Sequence, residues 1–137
     1  MKTIEDILNR CYLIVNVSAV TSLLDGRIHR HKKPLNDKLK NIVLTALLIK
    51  PATSFERGTL TQTGVVHINC YAQNLSNGKP DETSINAIMA AVIPKIEAGH
   101  GTTEFFELDI VGQQIFQDPD EDDMSYGSIR VNYRIGS

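Results

Sequence analysis

Between Ile129 and Ile135 the chain reads apolar at every second residue, with Ile129, Val131, Tyr133 and Ile135 separated by Arg130, Asn132 and Arg134. Successive side chains of a strand point to opposite faces, so this segment predicts a strand from Ser128 to Ile135 with one dry face and one wet one. A half-wet strand belongs to a sheet covered on one side, and the rest of the chain must supply that cover. Two segments do so. Ile4, Ile7, Leu8 and Cys11 repeat at helical spacing behind Thr3, a residue that caps helix starts, with Glu5 and Asp6 at the positive end of the dipole. Ile85, Ile88, Met89, Val92, Ile93 and Ile96 make a second one-sided stripe after the capping residues Asp81–Ser84.

The first helix is expected to hold to Val15, break near Asn16–Ser18 where β-branched residues accumulate, restart toward Leu24, and close at Asp25–Gly26. Pro94 is expected to kink the last turn of the second helix or end it early, with Gly99 and Gly101 marking the exit. Arg27–Lys33 reads as a short basic extended segment, and Leu35–Lys40 as a loop. Asn41–Lys50 reads as a central strand that Pro51 terminates, followed by a connection to Gly58. Leu60–Gln73 is a long strand that sets Val66, Ile68, Cys70 and Ala72 against His67, Asn69 and Tyr71; another strand spans Glu104–Gln117, and Asp118–Gly127 is a long acidic turn. The order is helix, short strand, two long strands, helix, two long strands. The fold class is therefore α+β: an antiparallel sheet, with room for a mixed one, of four or five strands and two helices packed on one face.

A length of 137 residues fits one domain, spanning 1–137, without a repeat or a change of composition regime. Fourteen Lys and Arg against 16 Asp and Glu leave a net charge of −2, no general attraction for nucleic acid. Cys11 and Cys70 form no CxxC pair and read as reduced core residues. Neither a signal peptide nor a membrane span is expected, which points to synthesis in a cytoplasm.

The search for chemistry returns little. The acidic run Asp118, Asp120, Glu121, Asp122 and Asp123 invites a calcium reading, yet counting from Asp118 puts Asp123 where an EF-hand loop needs Gly and Ile129 where it needs Glu. His29 and His31 fall on one strand face, but Arg27, Arg30, Lys32 and Lys33 around them repel a cation. His67 and His100 stand alone. GxSxG, P-loop and GxGxxG patterns are absent. No catalytic residue, cofactor or metal site is expected. What remains is a segregation of sign: a basic arm of Arg27, His29, Arg30, His31, Lys32 and Lys33, and the acidic turn Asp118–Asp123. Between copies of the chain such segments favour head-to-tail docking over self-pairing, which makes these residues the candidate subunit or partner interface.

The order of parts resembles the tail-completion or tail-terminator proteins of long-tailed bacteriophages and prophages. The likeness is carried by Leu23-Leu24-Asp25-Gly26-Arg27-Ile28 after the first helix, the strand Ile42–Ile49, the segment Gly64–Ala72, the helix Ser84–Ile96 and the closing strand Ser128–Ile135. Pro34 lies further ahead of the first long strand than in that family, and the acidic turn is longer. The resemblance implies a structural virion protein, not an enzyme: a homo-oligomeric ring, commonly a hexamer. That ring ends growth of the tail tube, meets a head-connector protein, and lets DNA through its lumen without tight binding; no cofactor, membrane or small-molecule substrate is involved. The competing readings are a small α+β enzyme or ligand-binding module with a helix–sheet pocket using His29, His31 or His67, and another neck or baseplate protein.

Overall fold

A computed structural model describes residues 2–56, 59–102 and 105–136, with 48–56 and 59 described as backbone. Thr3 and Asp6 form a reciprocal cap on α1 (Ile4–Val15): Asp6 N donates to Thr3 Oγ1 (3.2 Å) and Thr3 N to Asp6 Oδ2 (2.9 Å). The hydrogen bonds that Thr3 N and then Thr3 Oγ1 donate to its carboxylate hold Asp6 below its ordinary range. Replacing Thr3 with Ala is expected to cost about 1 kcal/mol, measurable by urea unfolding. The helix breaks at Asn16 as expected and restarts for one turn as α2 (Ser18–Thr21). Gly26 does not close it through a left-handed turn. It is a point of close approach instead, because the buried Asn41 side chain occupies the place a Cβ would take.

The sheet has the order β1-β2-β3-β5-β4, from β1 (Ile28–Arg30), β2 (Ile42–Glu56), β3 (Thr59–Gln73), β4 (Glu107–Gln117) and β5 (Met124–Gly136). All neighbours are antiparallel except β1 and β2, which run parallel, so the sheet is mixed. Asn41 ties that parallel pair, its Oδ1 accepting from Arg27 N at 2.7 Å and lying 3.2 Å from His29 Nε2.

α3 (Glu82–Gly99) starts from Asp81, whose carboxylate accepts from Ser84 N at 3.2 Å. It lies with α1 and α2 on one face of the sheet, burying Ile7, Leu8, Cys11, Ile85, Ile88, Val92 and Ile96 against Ile42, Leu44, Val66, Ile68, Ile129, Val131 and Tyr133. The α+β class with helices on one face is what the alternation at Ile129–Ile135 called for.

Two boundaries differ from expectation, those of β2 and β5, while α3 leaves at Gly99 as expected without an early end at Pro94. β2 does not stop at Pro51: its pairing with β3 jumps from Lys50↔Thr63 to Ser54↔Thr61, and an irregular stretch tolerates a residue that cannot donate to a ladder. α3 runs through Pro94 to Gly99, since packing of its last turn outweighs the lost bond; a Cβ on Gly99 would lie 2.8 Å from Leu108 Cδ1 and 3.2 Å from Ile14 Cδ1. β5 begins at Met124, four residues before the predicted start. There Ser125 and Gly127 hold the apolar face, and Gly127 admits Ile85 and Met89 of α3 directly onto the strand. β4 begins at Glu107, and the expected start at Glu104 lies outside the described residues.

Candidate assembly surfaces

The basic arm and the acidic turn meet within one chain. After β1, His31 takes a left-handed conformation (φ 67°) and donates its backbone N–H to Leu44 O, which turns the chain across the open face of the sheet. Lys33 then reaches Glu121: its Nζ donates to Glu121 Oε2 at 2.5 Å and to Asp37 O at 3.0 Å, while Asn36 N donates to Glu121 Oε1 at 2.6 Å. Both side chains are only 6% exposed, beneath a single loop. Lys38 completes the cluster, 3.4 Å from Glu121 Oε1 and 2.6 Å from Asp123 Oδ1. The hydrogen bond from Lys33, then that from Asn36 N, holds the Glu121 carboxyl below its ordinary range against the opposing effect of burial.

This changes the part of two expected interface residues. Lys33 and Glu121 face each other and are hidden, so they secure the loops of their own chain. Arg30 is also engaged internally, donating to Glu5 Oε1 at 2.6 Å and lying over the Tyr12 ring. Asp118 is buried at the start of the turn, its Oδ1 accepting from Asp120 N at 3.0 Å. His29 is half-buried beside Asn41. Arg27, His31, Lys32, Asp120, Asp122 and Asp123 are exposed. Lys38, the second cation of the cluster, had no signal in sequence beyond its charge.

The loops roof a hollow of 270 Å³ lined by His31, Lys33, Asn69, Tyr71, Asp118 and Asp120 among others. Beside it, an aromatic row crosses three strands of the open face. Tyr71 and Tyr126 rings lie 4.9 Å apart and Tyr126 and Phe116 5.4 Å apart, with Lys33 Nζ over Tyr71 at 5.6 Å. Only one histidine of the competing enzyme reading, His31, lines this hollow. His67 stands on the open face, where burial and then the Arg130 charge favour its neutral form. His100 follows α3, its Nδ1 accepting from Leu108 N at 3.1 Å. The thiols of Cys11 and Cys70 are buried and pushed up to about 12, far from the thiolate that a nucleophile needs. Among the described residues, no three His, Cys, Asp or Glu groups converge as metal ligands, and no helix is long and apolar enough to cross a membrane.

The sheet edges are the other large feature. β1 covers the outer side of β2 only from Ile42 to Leu44. Among the described residues no strand pairs with the outer side of β2 beyond Leu44, or with the outer side of β4. Both edges carry exposed aliphatic groups, Leu47 (58% exposed) on β2 and Val111 (50%) on β4.

No protein-family model and no curated protein matches the chain. Solved structures do. Over 93% of this chain and 92% of the other, the fold superposes with a TM-score of 0.67 on a chain from the virion of a native gene transfer agent particle, at 10% sequence identity. The two chains share a fold. At that level of identity residue-by-residue transfer has no basis.

Proposed function

We propose that this protein is a structural subunit of a phage-like virion, closing the end of the tail tube as a homo-oligomeric ring and joining it to the head connector. The observation that carries the reading is the near full-length fold likeness to a chain of a gene transfer agent virion. Two features of the chain support it. Among the described residues its sheet leaves two long edges unpaired, and edges of that kind are hazards unless a neighbour or a guard occupies them. Asp6 and Asp81 are engaged in helix caps, Lys33 and Glu121 in holding loops together, and both thiols are buried. In such a ring the exposed charges Arg27 and Lys32, and Asp120 and Asp122, with the exposed His31 beside them, are the residues left to meet a neighbouring subunit. The net charge of −2 suits a lumen that lets DNA slide, because dense phosphate contacts would retard its passage.

The test is removal of the gene from a strain that makes the particle. Electron micrographs are expected to show tails of uncontrolled, extended length and heads without tails. Tails of normal length, joined to heads, would overturn the reading.

A further inference from the structure

The two open edges match each other in level, direction and shape. Following partners across the sheet, Leu47 shares a rung with Val65, Asn132 and Asp109, and Leu48 shares one with Gly64, Tyr133 and Leu108. Ala46 lies on the rung of Ile110, and Thr45 on that of Gly112. The extra residue of the β4 bulge, Val111, therefore sits between the rungs of Ala46 and Thr45. One rung further, at Leu44, the cover of β2 by β1 begins. The free edge of β2 steps outward where β4 bends, and a bulge is a device that redirects a strand.

Direction agrees as well. Each of the pairs β2–β3, β3–β5 and β5–β4 is antiparallel, so β2 and β4 run opposite ways. A second copy brought alongside by rotation about an axis along the strands presents its β4 antiparallel to the first copy's β2. Beyond the bulge, β4 of that copy passes outside β1 and delivers its acidic turn, which follows Gln117, just past Arg27, whose rung is that of Phe116. The exposed groups there are Arg27 on one copy and Asp120 and Asp122 on the other, opposite in sign. Pairing β4 with β4 about a two-fold axis, whether along or across the strands, would leave the free edge of β2 and the exposed Leu47 uncovered.

We infer that the occupant of each edge is a second copy of this chain, with Glu107–Ile110 of one subunit paired antiparallel to Ala46–Lys50 of the next. The joint is heterologous, so it repeats around a ring and makes one continuous sheet. It rests on the ring reading above and adds which strands form the seam.

Cysteine cross-linking tests it, because Cys11 and Cys70 are 1% and 0% exposed and leave engineered thiols as the accessible ones. Leu47→Cys carrying a size tag is mixed with untagged Asp109→Cys or Val111→Cys and oxidised with copper–phenanthroline, and assembly is followed by light scattering. The expected result is a mixed disulfide dimer as the main product, and for L47C/D109C in one chain a ladder of multimers that stops at the ring size. Homodimers of D109C or V111C in equal or greater yield would overturn the heterologous seam. Multimers in light scattering without any mixed cross-link would overturn the choice of strands while leaving the ring standing. A chain that neither cross-links nor assembles at high concentration overturns both.

Discussion

Replacing Glu121 with Gln is expected to lower stability by about 2–3 kcal/mol, because the Lys33 ammonium beneath the loop then keeps its charge without its counter-charge. Breaking a fully buried pair costs more. This one lies a single loop deep, where water can reach the cation after a small relaxation, and that sets the figure at the low end. Thermal unfolding should shift down by about 7–10 °C for a chain of this size. Adding Lys33→Met to the same chain should recover much of the loss, since it removes the stranded charge. The exposed contact between Lys38 and Asp123 offers a contrast: Asp123→Asn should change little.

The same pair predicts a pH dependence with a definite sign. The Glu121 carboxyl is held below its ordinary value in the folded chain, chiefly by the Lys33 hydrogen bond. Its contribution is therefore present above the unfolded-state value near 4.5 and disappears as pH falls through the lower folded value. The stability gap between wild type and Glu121→Gln should narrow steadily in acid below that point and stay constant from pH 6 to 8. A gap that persists unchanged into strong acid would show that the carboxylate charge is not the source of the effect.

Gly64→Ala is the second large effect. A Cβ at Gly64 would lie 2.5 Å from Tyr133 Cζ and closer still to the Tyr133 hydroxyl and the Leu47 carbonyl. Tyr133 is 2% exposed, stands edge-on to Phe105 at 6.3 Å, and donates its hydroxyl to Leu47 O at 3.4 Å. The ring is buried and packed on Phe105, and the carbonyl belongs to a paired strand. The expected cost is about 2–3 kcal/mol, read by chemical unfolding, with a changed tyrosine signal in near-ultraviolet circular dichroism. Gly112→Ala is the control, because a Cβ there meets nothing within 4 Å. Equal losses in the two variants would mean that strand flexibility at glycine, and not the Tyr133 contact, is responsible.

Much of the fold was legible because its signals are local. The alternation in β3 and β5, the stripe of α3 and the Thr3–Asp6 cap each depend on residues within a few positions of one another. The misread boundaries share another cause: at Pro51 and Gly127 a residue with poor local propensity is retained by pairing or packing with distant parts of the chain. The pairing of Lys33 with Glu121, 88 residues apart, lay beyond local reading. Segregated charge disclosed that the two segments had an affinity, and only the path of the chain after His31 showed that part of it is satisfied internally. The edge match was hidden for the same reason. It depends on a rung count across four strands, which no single segment encodes.

The order β3-β5-β4 also governs how the chain emerges from the ribosome. β4 is synthesised before β5 yet reaches the sheet only through it, so until residues 124–136 are made β4 has no strand to join and β3 presents an unsatisfied flank. The nascent polypeptide can assemble α1 with the β2–β3 hairpin, but the full sheet closes only when its second-to-last position is filled by its last strand. A stop codon within β5 should therefore yield insoluble product rather than a shortened subunit, and translation must run ahead of assembly on every copy.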